Sequence, residues 1–221
     1  MLKETDFKKM FISQDEINNN TYGKQWSTKE LTSDGRVINW HRMLRLQASR
    51  AIDAINSWKF WKNKIMADDD NRVLVEFITI WSSLMSEMIR KRGVKKGYKK
   101  SYKAYIAAQK SSKYKKKTIL ELLEEMQRLS LMNKTPLAPF FILIEKHELF
   151  NATNLYKHSV GKTILKQFRL DNGFKEKKYR RVWSGNIEDK TILFNLIQSN
   201  PFLDKKKIYK ELERVYNATT L

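Results

Sequence analysis

The chain has 221 residues, 41% of them hydrophobic, enough for one sizeable core, and a single domain is the expectation. Lys and Arg number 44 against 24 Asp and Glu, and the resulting charge of +20 points to a polyanionic partner, nucleic acid or an acidic protein surface. The lack of cysteine excludes disulfides and thiolate metal sites. The start MLKETDFKKMF has no apolar h-region and no stretch approaches about eighteen consecutive apolar residues, so a soluble, intracellular, cytoplasmic protein without membrane contact is expected.

Residues 1 to 26 open with an amphipathic segment and continue as QDEINNNTYGKQW. Gln14 and Asn18 form an i,i+4 pair on a predicted helix, and Trp26 follows a Gly-containing turn. Amides can pair with a base edge and an indole can cover its face, but the same residues serve equally as a helix-face pair and a core side chain. Ser33, Asp34 and Gly35 are turn formers and predict a loop before Trp40.

From Trp40 onward, Leu44, Ala48, Ala51 and Ile55 recur with Met43 and Ile52 at three- and four-residue steps, the mark of a helix with one face on a core. Asp68, Asp69, Asp70 and Asn71 then offer N-caps. Val73, Phe77, Ile80, Trp81 and Leu84 form a second stripe, and two helices joined by a short break predict an antiparallel pair, half of a bundle. These helices carry two polar i,i+3 pairs, Gln47 with Arg50 and Glu76 with Thr79. Periodicity alone reads such pairs as solvated surface. Asp53, one turn past Arg50, is placed to neutralise it.

Residues 90 to 117 hold thirteen Lys or Arg and no acid: Arg90, Lys91, Arg92, Lys95, Lys96, Lys99, Lys100, Lys103, Lys110, Lys113, Lys115, Lys116 and Lys117. Tyr98, Tyr102, Tyr105 and Tyr114 are interleaved. Lys and Tyr at this density suit a surface that neutralises phosphates and stacks on bases, and the excess of Lys predicts contacts blind to sequence. The alternative is a self-repelling linker.

Residues 118 to 132 predict an amphipathic helix, with Thr118 and Glu121 as a capping box and Pro136 beyond its end. FFILIEKHELF predicts a buried helix in preference to a strand; His147 within it is assigned no chemistry. A basic C-terminal string, VGKTILKQFRLDNGFKEKKYRRVWSGNIEDK, follows. The SNP break then leads to a short helix with Ile208, Leu212 and Val215 inward. The expected organisation is one domain over residues 1–201, carrying the basic segment 90–117, and a C-terminal helix and tail over 202–221.

Three of these stretches, in order and over about half the chain, resemble the dimeric all-α dUTPases, relatives of the all-α nucleotide pyrophosphatases: QDEINNNTYGKQW, the pair from DGRVINWHRML to VEFITIW, and the C-terminal string. The resemblance implies an all-α helical bundle and a homo-oligomer; further protein subunits are expected as neighbours of a structural component. It places Gln14, Asn18 and Trp26 in a nucleotide pocket with Arg169, Lys175 and Tyr179, the last three in a phosphate-closing segment. In that segment Lys177 stands where the family has Gly and Lys190 where it has Asn.

In the family the two central helices hold magnesium through Glu-x-x-Glu and Glu-x-x-Asp. The matching positions here are Gln47, Arg50, Glu76 and Thr79, so one carboxylate of four remains, and Arg50 would repel an ion. The expectation is therefore no metal cofactor and a catalytically inactive protein. Its role would be structural or adaptor-like beside nucleic acid, as in the connector or tail of a phage virion. The alternatives are an active metal-dependent dUTP or nucleotide pyrophosphatase with a rebuilt site, and a nucleotide-binding regulator in which Arg50 meets the phosphates directly.

Overall fold

The computed structural model describes residues 1–64, 67–147, 151–199 and 204–218. They form nine α-helices: α1 (Glu4–Tyr22), α2 (Trp26–Lys29), α3 (Trp40–Ala54), α4 (Asp70–Lys110), α5 (Ile119–Leu131), α6 (Leu137–Lys146), α7 (Ala152–Asp171), α8 (Asp189–Ser199) and α9 (Lys205–Asn217). Among the described residues extended pairing is limited to single bridges, Leu31 with Val37 and Val182 with Glu188. The expected all-α bundle is present.

Local chemistry sets the helix ends. Asn39 accepts from the Arg42 N–H and Asp69 from the Arg72 N–H, capping α3 and α4. Asp68 instead accepts from the Asn56 and Ser57 N–H groups at 2.6 and 2.9 Å, tying the end of α3 to the start of α4. Thr118 and Glu121 close the expected capping box on α5. The loop before Trp40 contains the one-turn α2, which its short polar sequence did not announce.

Helix α4 is the spine, packed mainly by α1, α3 and α6 and also touched by α7 and α8. Trp81 sits fully buried in its first half, stacked on Phe140 of α6 with centroids 5.5 Å apart and edge-on to Phe7 of α1. Each such ring contributes about 2–3 kcal/mol by leaving water, which explains why the apolar run in α6 is a helix buried on every side. At Gly93, with φ 70°, α4 bends.

That bend carries the basic segment 90–117 onto α1 and gives its tyrosines a different role from the one expected. Tyr98, Tyr105 and Tyr114 are buried, and the Tyr102 and Tyr105 rings lie 5.6 and 5.7 Å from Phe7. The segment is the second half of the spine and the turn into α5. Tyr98, Tyr102 and Tyr105 fall on one side of the helix and face the core, and Tyr114 is buried in the turn after it, so they offer no stacking platform for bases.

Arg90 and Lys91 are also engaged inside the fold. Buried Glu87 accepts from Arg90 Nε at 2.7 Å and Lys91 Nζ at 2.8 Å, and lies 3.0 Å from His41 Nε2; Arg90 reaches on to Glu30 at 2.5 Å. Burial alone would raise the Glu87 carboxyl, but hydrogen bonds from Arg90, His41 and Lys91 outweigh it and hold it well below the carboxylate range. Arg92, Lys95, Lys96, Lys99, Lys100, Lys103, Lys113, Lys115 and Lys116 are exposed, and Lys117 is half-buried.

A second, smaller core joins the C-terminal half of α7 to α8 and α9 through Phe168, Trp183, Leu193, Ile197 and Leu212. Gly161 lets α7 and α8 touch: a Cβ there would collide with the Ile197 side chain. Ile208 and Leu212 of α9 are buried as expected, and α9 docks on α7. The expected domain boundary at 201–202 and the end of the FFILIEKHELF run lie outside the described residues.

Candidate functional site

Where the two cores meet, a cavity of about 670 Å³ opens between α3, the first half of α4, α7, α8 and the segment preceding α8. This is a volume typical of small-ligand sites. Tyr22, Trp40, Met43, Leu165 and Phe194 give its lining apolar and aromatic surface. The rest is strongly basic: seven cations, Arg50, Arg72, Lys162, Lys166, Arg169, Arg181 and Lys190, face three acids, Glu76, Glu188 and Asp189.

The i,i+3 spacing on α3 and α4 brings Gln47, Arg50, Glu76 and Thr79 together on this wall. Gln47 and Glu76 are 2% and 5% exposed, so neither is the solvated surface that periodicity alone suggests. Gln47 Oε1 and Glu76 Oε2 are both buried without a hydrogen-bond partner among the described residues. Thr79 donates to the Val75 carbonyl at 2.8 Å. Arg50 is not neutralised by Asp53, which pairs with Arg72 at 2.7 Å and Lys59 at 3.4 Å across the α3–α4 junction. The guanidinium of Arg50 has no acidic partner among the described residues.

On α7, Lys162 and Lys166 are one turn apart and both half-buried. Burial first, then Lys166, lowers the Lys162 ammonium well below the ordinary lysine value, with Glu76 opposing. Burial and then Arg169 lower Lys166 to about 8; its ammonium lies over the Tyr22 ring, 5.4 Å from the centroid. Arg169 is held by Asp189 through two bonds, Nε at 2.8 Å and Nη2 at 2.6 Å. The Tyr179 hydroxyl donates to the same carboxylate at 2.7 Å. Asp189 is 1% exposed, and these three donors are what allow it to stay buried.

The other expected pocket residues are divided. Gln14 lines the cavity, donating to Asn18 Oδ1 at 2.9 Å, and Asn18 donates to Ser86 at 2.8 Å from behind the wall. Trp26 is core: its ring is edge-on to Trp40 at 5.9 Å and its N–H donates to Asp15 at 3.1 Å, so Tyr22 and Trp40 supply the aromatic wall. Lys175 is exposed in the turn after α7 and lies off the cavity, and Tyr179 stands behind Arg169. Lys177 in that turn takes φ 59°, a conformation suited to Gly that costs a side-chain-bearing residue about 1–2 kcal/mol. Lys190 lines the cavity, paired with Glu188 at 2.8 Å. Sequence reasoning missed Lys162, Lys166 and Arg72. The i,i+4 and i,i+7 spacing of Lys162, Lys166 and Arg169 on one helix was the signal available.

A family model described as dUTPase matches residues 6–174, well over half of the chain. The chain belongs to the dUTPase family. The match takes in α1 to α7 and stops short of Tyr179, Arg181, Asp189 and Lys190. A search of curated proteins gave no match. Membership overturns the expectation of a protein without catalytic activity: a dUTPase-family chain is expected to be a dUTP pyrophosphatase, and no feature of the cavity demonstrates inactivity.

Magnesium, which the family resemblance implies, does not fit the side chains present. Of the four positions on α3 and α4 only Glu76 is a carboxylate. Asp189 is held by Arg169 and Tyr179, Glu188 by Lys190, and no group of three or more His, Asp or Glu could hold an ion among the described residues. No helix among the described residues is long and apolar enough to cross a membrane.

Proposed function

We propose that the protein is a nucleoside triphosphate pyrophosphatase of the dUTPase class, cleaving dUTP or a close relative to the monophosphate and pyrophosphate. The supporting observation is the cavity itself, lined by the Tyr22 and Trp40 rings together with seven cations, within a dUTPase-family chain. The Tyr22 and Trp40 rings suit a base and sugar, and the cations suit a triphosphate.

Phosphoryl transfer needs positioning and electrostatic stabilisation more than covalent chemistry, and both are within reach of Arg and Lys side chains. Water attacks the α-phosphorus, a new P–O bond forms there as the α–β bridging bond breaks, and pyrophosphate departs with the bonding electrons of the broken bond. Glu76 is the carboxylate on this wall not held by a salt bridge, and its unpartnered Oε2 takes the proton of the attacking water. Incubation with dUTP and each common deoxynucleotide, with pyrophosphate release followed, tests the reading. Turnover with dUTP that is lost in Glu76→Gln is expected; wild-type release no faster than buffer for every nucleotide would refute it.

A second, separate activity is favoured by the exposed ladder of Lys95, Lys96, Lys99, Lys100 and Lys103 on the outer face of α4. No acid pairs with these lysines among the described residues, and they suit the phosphate backbone of nucleic acid without reading its sequence. Binding to unrelated DNA sequences with equal affinity, falling steeply with salt, is the expected result. Salt-independent binding would contradict it.

A further inference from the structure

We propose that Arg50, Lys162 and Lys166 neutralise the phosphate chain of the bound nucleotide directly, taking over electrostatically from a carboxylate-held divalent ion, so that binding requires no metal. The inference rests on the nucleotide reading of the cavity and assigns its phosphate subsite to α3 and α7.

The first ground is the state of the acids. A divalent ion needs several anionic oxygens, but Glu188 and Asp189 are each bound to a cation of the chain, leaving Glu76. The second is the state of the cations. Arg169 and Lys190 are matched by those same acids, whereas Arg50, Lys162 and Lys166 have no salt-bridge partner among the described residues.

The third ground is the pairing of Asp53. It stands one turn from Arg50, close enough to silence it, yet binds Arg72 at 2.7 Å and Lys59 instead. Arg50 therefore keeps its fork of donors for a ligand, and a planar guanidinium suits two oxygens of one phosphate. Lys162 and Lys166 repel each other on one face of α7, and an anion set between them turns that repulsion into attraction.

Calorimetric titration with the non-hydrolysable α,β-imido analogue of dUTP, in EDTA and in magnesium, separates the possibilities. The expected result is the same affinity in both. In EDTA, Arg50→Gln and Lys162→Met are each expected to weaken binding by about tenfold or more, the loss of one charge-assisted bond. Arg50→Lys should recover part of that loss, and Glu76→Gln should leave binding intact or tighten it by removing a charge that faces the phosphates. Unchanged circular dichroism confirms that each variant is folded; Arg50 is exposed and Lys162 is not part of the apolar core, so both substitutions spare the packing. Affinity seen only with magnesium, and lost in Glu76→Gln, would overturn the metal-free clamp while leaving the nucleotide site standing. Absence of binding in both buffers would overturn the nucleotide reading, and the clamp with it.

Discussion

Replacing Asp189 by Asn tests how the cationic wall is held together. The carboxylate is 1% exposed and receives two bonds from Arg169, whose side chain is 21% exposed, and one from Tyr179. Breaking a buried ion pair by removing one partner costs about 3–5 kcal/mol. Water reaches Arg169 in part, and Asn keeps the volume and one acceptor oxygen, so the lower side applies, about 2–3 kcal/mol. For a chain of this size each kcal/mol moves Tm by about 2–4 °C, which gives a loss of about 4–12 °C. Thermal unfolding followed by circular dichroism reads this directly. Tyr179→Phe removes only one hydrogen bond and should cost about 1 kcal/mol, and the double variant should cost less than the sum because both changes act on the same Tyr179–Asp189 hydrogen bond. A Tm loss below about 2 °C for Asp189→Asn would refute the view that this carboxylate anchors the site.

Glu87→Ala leaves Arg90 and Lys91 without their shared buried partner and is expected to cost about 3–5 kcal/mol, read from urea unfolding midpoints. Gly161→Ala drives a Cβ into the δ-methyl of Ile197, and because Ala gains about 1 kcal/mol over Gly inside a helix the net loss should be about 0–2 kcal/mol, with Ile197→Val relieving the clash. Burial and then Lys157 lower His158 from an ordinary value of 6.5 to about 4, so the folded state resists its protonation. The associated stability is complete above about pH 6.5 and drains away towards pH 4, by up to about 3 kcal/mol, an effect that His158→Gln should flatten in a series of unfolding curves. A phosphate ligand favours the protonated forms of Lys162 and Lys166, so nucleotide affinity should fall as pH rises through about 8. The Lys166→Met variant should show a weaker pH dependence.

The sequence alone determined the helical architecture, because the devices that make these helices are local. Stripes such as Leu44, Ala48 and Ala51, the Asp69 cap and the Thr118–Glu121 box need only neighbours within a turn. The three ordered stretches that resemble a dUTPase located the family for a related reason: their spacing survives even where the metal ligands do not. Charge, in contrast, was legible as a total and misleading as a map. Residues 90–117 read as a single basic surface, but the period of α4 turns three of its tyrosines into the core and gives Arg90 and Lys91 to Glu87.

Only the tertiary structure decided which polar groups share a cavity and which cancel. Asp53 is three residues from Arg50 in the chain, yet it pairs with Arg72, 19 residues away, because the α3–α4 junction brings Arg72 to it. Asp189 and Arg169 meet across 20 residues to form one side of a pocket whose other side is built by α3 and α4. Pairing energies depend on distance and burial, neither of which a linear pattern encodes, so the balance of charge at the site became readable once the helices were packed.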